Sequence, residues 1–385
     1  MKNPMNAGTQ VQLNVSAFGA KGDGQTDDTA AFVAALEAAA AVKGIVCVPE
    51  GTFLISGIKL PPHTGLVGNA TWAYRSLGGS ILKLHKPGPD TKGLIDITGA
   101  CGATINGLSL LGDRASTAVP ANLPTPPAPI HGIHMGPLEG KKEEDAPRIE
   151  RCHISQFTGN GIHLDPVWCF SIRSCEVIFN QGHGLHVGGW DGFILDNWFS
   201  GNGGAGYSAT GLNASVTMTG NRIEWNAGGG IRILGGGHYN ITGNYVDRAG
   251  GPGITIGARG AASPSTCITL TGNVIYRSGK PDWTSKTDEF ESCHVRIEDS
   301  RGIVFTGNSM CVGQDDGGGV NSPSYGIVLH NLKNCVVQSN SLHIGALKQI
   351  VLDRGGHGEG VVIKDNVGSL LPNPDKSIWE PGQRE

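Results

Sequence analysis

Histidine is where the chemistry of this sequence gathers. His134, His163 and His186 hold the same place in a recurring phrase, Gly-Ile-x-Leu, whose copies read Gly132-Ile133-His134-Met135, Gly161-Ile162-His163-Leu164 and Gly184-Leu185-His186-Val187. Imidazole titrates closest to neutrality of all side chains. Stacked on neighbouring strands about 4.8 Å apart, three of them would repel one another if all were charged. At least one is therefore expected to stay neutral, with its pKa below the ordinary value, and to serve as a base. Further copies place Ser208, Arg232, Thr255 and Arg296 at x, and the next outward position brings Asp165, Glu298, His330 and Asp353. His131, Asn160, His183 and His294 lie just ahead of these strands. A base beside guanidinium groups suits removal of a proton next to a carboxylate, because the cations hold the carboxylate and the enolate that forms. On this reading His163 or His186 is the base, Asp165 orients an imidazole, and Arg232 and Arg296 meet an acidic substrate, with His134 and His183 lining its path. A merely solvated face would instead carry Thr, Ser, Asn, Lys and Glu.

A rival pair sits on another strand. Glu224 and Asp247 fall at equivalent places in adjacent copies, flanked by Arg222, Trp225, Tyr245 and Arg248. One strand spacing is close to the about 5–5.5 Å between the carboxylates of a retaining glycosidase. The plain alternative is a surface acid pair balanced by two arginines. Tryptophans that could stack on sugar rings are Trp168 and Trp190, in the turns after the His163 and His186 strands, with Asp191 beside them, and Trp283 in an insertion. Irregular segments at 112–130, 136–147, 280–293 and 313–324 adjoin the histidine strands, as walls of a binding site would. Asp165, Asp191, Glu298 and Asp299 offer oxygen ligands for calcium, but no loop has a recognisable calcium spacing, so no cofactor or metal is indicated.

These residues need a scaffold that repeats. Each phrase is too short to bury its apolar face alone, so successive copies must stack into a parallel solenoid. Asn197, Asn221, Asn244, Asn273, Asn308, Asn340 and Asn366 recur at one turn, preceded by Cys152 and Cys175. Stacked there, they can pass hydrogen bonds from coil to coil and satisfy buried backbone groups. The alanine-rich stretch 30–42, introduced by Asp27, Asp28 and Thr29 and followed by Gly44, reads as a helix covering the open end. The whole chain is then one all-β domain: cap and first strands over about 12–60, about ten coils over about 95–368, and a tail at 369–385.

Composition narrows the partners. With 61 glycines among 385 residues and no Gly-X-Y period, the chain suits many tight turns. A net charge of -4 without a basic block argues against nucleic acid. No apolar run is long enough for a membrane span. Residues 1–11 lack the apolar core of a signal peptide, which leaves a cytoplasmic protein or a secreted one whose leader is gone. Nine cysteines without a CxxC pair indicate neither a disulfide framework nor a zinc site.

The segment from Phe18 to Asp28, with Gly44-Ile45-Val46-Cys47-Val48-Pro49-Glu50-Gly51-Thr52-Phe53, resembles the entry to the pectate-lyase-like superfamily. That resemblance implies a right-handed parallel β-helix, a carbohydrate polymer or oligosaccharide as partner, and trimers as the frequent assembly. It leaves lyases, hydrolases, epimerases, fructotransferases and tailspikes open. Gly182-His183-Gly184 is similar to a polygalacturonase segment, as is Gly313-Gln314-Asp315-Asp316-Gly317, in reversed order. Asp165-Pro166 is similar to the Asp-Pro-His motif of mannuronan epimerases, with Val167 in place of the histidine. The reading favoured by these residues is a polysaccharide lyase. A carboxylate-pair hydrolase or fructotransferase is the second reading, and a non-catalytic, tailspike-like glycan binder the third.

Overall fold

The computed structural model describes residues 11–74, 76–114, 126–141, 143–283, 286–313 and 319–372. Within them each repeat makes three short strands that pair in parallel with those of the next repeat. The Gly-Ile-x-Leu strands form the histidine sheet, which includes His131–Met135, Ala205–Ala209, Gly229–Leu234 and Ile254–Gly257. A corner leads into a second sheet, represented by Arg148–Glu150, Asn240–Thr242 and Thr269–Thr271. The asparagine turn then leads into a third sheet of thirteen strands, from Asp23–Asp27 to Val367–Leu370. Ten of these strands, from Ser109–Leu111 onward, fall where about ten coils are expected, and three more precede them. Gly51–Ile55 and Ser80–Leu84 already pair in the third sheet although they carry no Asn-x-Ile phrase, so the segment at 12–60 contributes rungs as well as a cap.

Alternation puts Ile133, Ile162, Leu185, Tyr207, Ile231, Ile254, Val295 and Ile327 in one fully buried column. Each such burial stabilises by about 1.5–3 kcal/mol, and only stacking makes it available. Opposite alternation turns the x residues outward. Helix α1, Thr29–Val42, closes the first coil with Phe32, Ala35, Leu36 and Ala39 buried beneath it. The Phe32 ring meets Phe53 edge-on at 5.4 Å. Asp28 does not cap the helix with its side chain; its carboxylate accepts the backbone N–H groups of Lys21 and Gly22. The helix ends at Lys43 in the left-handed region rather than at Gly44.

The asparagine ladder runs as the spacing predicts. Asn197 donates to Asn221, Asn221 to Asn244, and so on to Asn366, while each Oδ1 also accepts the backbone N–H of the preceding asparagine. Asn221 also donates to the Ile194 carbonyl at 2.9 Å. Asn221→Ala is therefore expected to lower unfolding stability by about 1–3 kcal/mol, because a backbone donor and an acceptor lose their partner inside the protein. Activity per folded molecule should survive, and unchanged urea unfolding would mean that the ladder carries no load. A second ladder, Asn180–Asn202–Asn226, follows the third sheet and was not anticipated.

Candidate functional site

The pairing register assembles one outward column in the order Asp96, His134, His163, His186, Ser208, Arg232, Thr255 and Arg296. The His134 and His163 rings stack at 5.6 Å, and His163 and His186 at 5.0 Å. Asp96 was missed because its strand has Leu94 where the later phrases have glycine. Its Oδ1 lies 3.6 Å from Nδ1 of His134. Burial pushes the Asp96 carboxyl up, but His134 and the hydroxyl and amide of Thr98 outweigh burial and hold it below the usual range.

A second ladder runs alongside and fixes the imidazole protons. Nδ1 of His131 accepts the Asn160 N–H at 2.8 Å, Oδ1 of Asn160 accepts the His183 N–H at 2.7 Å, and Nδ1 of His183 accepts the Ala205 N–H at 2.8 Å. Since Oδ1 of Asn160 faces a backbone donor, its Nδ2 is the group 3.0 Å from Nδ1 of His163, and it donates there. All three imidazoles therefore carry their proton on Nε2 and are neutral. Burial first, then neighbouring imidazoles, pushes His131 down to about 3 and His163 to about 4. Burial, His186 and then Arg232 push His183 down to about 3. The neutral state expected from the stack is thus present, but it makes His163 a hydrogen-bond donor through Nε2 rather than a base.

His186 differs from these three. No backbone amide occupies its Nδ1, and its Nε2 lies 3.7 Å from Oδ2 of Asp165. Gly188 makes that approach feasible, since a Cβ there would come within 2.1 Å of the Asp165 carboxylate. Next in the column, the Ser208 hydroxyl is buried without a partner. Arg232 is exposed and forms no ion pair among the described residues. From His183 a groove of about 410 Å³ runs past Ala205 and Arg232 to Thr255, walled by Trp283 and Glu291. Gly251 admits the Trp283 ring, which a Cβ would meet at 2.7 Å.

Other candidates fall elsewhere. Arg296 is not free for a substrate. Its guanidinium takes both oxygens of Asp288 at 3.0 Å and binds Glu298, which also binds Arg354 at 2.6 Å. Glu298 is thereby committed too, and Asp299 accepts from Asn331; among the described residues no three of the carboxylates Asp165, Asp191, Glu298 and Asp299 come together as a ligand cluster. His294 is not ahead of its strand: it stands in the column of Gly253 and Gly326, inside the solenoid and fully buried. Trp168 and Trp190 pair at the corner into the second sheet, and Trp168 donates to Asp191 at 3.0 Å. Asp191 lines a separate groove there, with Phe193 and Arg148. Asp315 and Asp316 lie outside the described residues.

Glu224 and Asp247 do pair on the third sheet, but they are buried rather than solvated. Glu224 accepts from Trp198 and Arg222, Asp247 accepts from Arg248, and Arg248 lies over the exposed Trp225. Burial first, with Glu224 adding and Arg248 opposing, pushes Asp247 up to about 6. Nearby, unanticipated, His153 and Glu176 pair at 3.1 Å beneath a strap in which the Ala73 amide binds Glu176 and Tyr74 stacks on Trp198.

Comparison with known proteins places this geometry. The A-module of the Azotobacter vinelandii mannuronan C-5 epimerase AlgE6 superposes with a TM-score of 0.62 at 18% identity, over 94% of this chain and all of that one. The DFA-IIIase of Arthrobacter chlorophenolicus A6 gives 0.63 at 12%, covering 92% of this chain and 93% of that one. In sequence, mannuronan C5-epimerase AlgE5 of Azotobacter vinelandii is 28% identical over 260 residues, which are 61% of this chain and 24% of that protein. The chain spans about a quarter or less of the length of the curated relatives it matches. Residues 12–78 match a family described as rhamnogalacturonase A/epimerase, pectate lyase-like. Residues 141–369 match the right handed beta helix region, and with more than half its length so matched the chain belongs to the right-handed β-helix family.

Proposed function

We propose that this chain is a polysaccharide lyase that removes the proton beside the carboxylate of a uronate residue in an acidic glycan. The observation that carries the reading is Arg232, an unpaired guanidinium two rungs from His186 in one column, roughly 10 Å along the sheet. Among the cations of this face it alone is described without a carboxylate, so it can take one from the substrate. His186 is the base, and the imidazolium it becomes is stabilised by Asp165. The neutral Nε2–H groups of His163 and His183 donate to the carboxylate as it gains enolate charge, the work of an oxyanion hole. Elimination then breaks the bond to the departing glycosidic oxygen, which takes the proton. The mannuronan C5-epimerase relatives support a uronate, because their named reaction inverts the same carbon.

Mannuronate and galacturonate polymers and a neutral β-glucan, each incubated in deuterated buffer, test this reading. An unsaturated uronide absorbance on a polyuronate is expected. Reducing ends without that absorbance would establish hydrolysis and remove the proposal. Deuterium in an uncleaved polymer would replace elimination by epimerisation.

A second reading, hydrolysis at Glu224 and Asp247, draws on the raised Asp247 carboxyl, which suits a general acid. Both Glu224 oxygens are occupied, however, which weakens it as a nucleophile or base. Glu224→Gln is therefore expected to change turnover less than about threefold, on the kinetic reading that only transition-state contacts lower turnover strongly. A folded but inactive Glu224→Gln protein would move the chemistry to the third sheet.

A further inference from the structure

The turns that lead out of the first coils bring together three side chains that neither the repeat nor the histidine column explains. His63, Cys101 and Glu143 each offer a ligand atom, and these atoms all lie within 4.8 Å of one another. Among the described residues they are the only such group of three. They come from three separate segments whose backbones are tied together. The His63 N–H donates to the Cys101 carbonyl at 2.7 Å, and the Gly102 N–H donates to the Asp145 carbonyl at 2.7 Å. The roots of the three side chains are thus held by main-chain bonds independent of any ligand. Gly102, in the left-handed region at φ +67, leaves space for the imidazole, since a Cβ there would stand 3.2 Å from Nδ1 of His63.

We propose that His63, Cys101 and Glu143 bind a transition-metal ion of the zinc type, with water in the fourth position. A thiolate, an imidazole and a carboxylate make a borderline-soft donor set that favours zinc over calcium or magnesium. Bond lengths of about 2.0–2.3 Å place tetrahedral ligand atoms roughly 3.5 Å apart, a little closer than they stand. His63 and Glu143 are exposed and can rotate by that much. Burial first, then Glu143, Asp145 and Glu144, disfavours the thiolate and pushes the Cys101 thiol up. A divalent cation inverts that balance, because it favours thiolate and carboxylates together. Glu143 belongs to the segment that follows the His134 strand, and Asp145 in the same segment accepts the Trp168 N–H at 2.7 Å. The metal would therefore clasp this segment to the first coils, leaving the histidine column to its own chemistry.

The test titrates cobalt(II) chloride into full-length protein freed of metal by dialysis against chelator. One equivalent should produce a thiolate-to-cobalt charge-transfer band with tetrahedral visible bands, and zinc should displace them. Cys101→Ser should abolish the charge-transfer band. His63→Ala and Glu143→Gln should weaken binding by more than the about 10–100-fold that loss of an outer-shell partner brings. Zinc should also slow tryptic cleavage after Lys141 in the wild-type protein and not in Glu143→Gln, whose exposed side chain can change without unfolding the chain. A band that persists in Cys101→Ser comes from another of the nine cysteines and overturns the proposal. So does the absence of any band in the wild type.

Discussion

Replacing His186 by alanine should reduce turnover of a polyuronate by about 10²–10⁴-fold, the usual contribution of a positioned base, with the β-type circular dichroism unchanged. The side chain points out of the solenoid, and its Nδ1 takes no part in the ladder that binds the backbone amides of Asn160, His183 and Ala205. Its removal also takes one neighbour from the stack on His163, so the fold loses little. Asp165→Asn should act through His186, lowering turnover less than the histidine variant. Arg232→Ala should instead raise KM as well as lower turnover, because a guanidinium that meets the substrate carboxylate binds the ground state too. Initial rates of unsaturated-uronide formation across substrate concentration separate these effects. If His186→Ala and Arg232→Ala both keep wild-type rates, this face has no catalytic role.

The histidine column and the asparagine ladder were legible because both follow from period. A residue that alternates with buried Ile or Leu must face out, and one that recurs at a turn must stack on its copy in the next coil. What a charge would meet was not legible. Arg232 and Arg296 stand in the same column, yet Arg296 is claimed by Asp288 and Glu291, on a segment whose path the repeat does not set. His294 shows how a one-residue shift turns an outward side chain into a core one. Its strand has histidine where Gly253 and Gly326 stand in the neighbouring rungs, so the pattern could be aligned in two ways. Asp96 escaped because Leu94 replaces the marker glycine, although the x position itself was intact. Glu224 and Asp247 were read correctly as adjacent and outward, but their burial depends on Trp198, Arg222 and Arg248 folding over them. The role of His163 hangs on a single amide: only with Asn160 bonded to the His183 N–H does His163 become a donor through Nε2.

The same buried imidazoles make the protein acid-sensitive, and the sign follows from where each binds a proton. His131, His183 and His294 are pushed down to about 3 and His163 to about 4, each chiefly by burial, against an unfolded value of 6.5. Below pH about 6.5 the unfolded chain takes up four protons that the fold refuses until pH about 3 to 4. Stability is therefore full above 6.5 and falls as pH is lowered through that window. Between pH 7 and pH 5 each histidine removes about 2 kcal/mol. Asp247 works in the opposite sense: pushed up to about 6 from 3.8, it binds its proton first in the fold and contributes about 1 kcal/mol over the same interval. Four groups outweigh one, and the net loss of roughly 7 kcal/mol is comparable with the whole stability of many domains. The thermal midpoint should accordingly drop by several degrees between pH 7 and pH 5. His183→Asn provides the control, since asparagine already performs the same acceptor role at position 160 in the adjacent rung. That variant should lose about a quarter of the acid sensitivity while keeping the Ala205 amide bonded. A thermal midpoint that stays level from pH 7 to pH 5 would mean these histidines are hydrated and titrate normally. An unchanged slope in His183→Asn would mean that the acid response arises elsewhere in the chain.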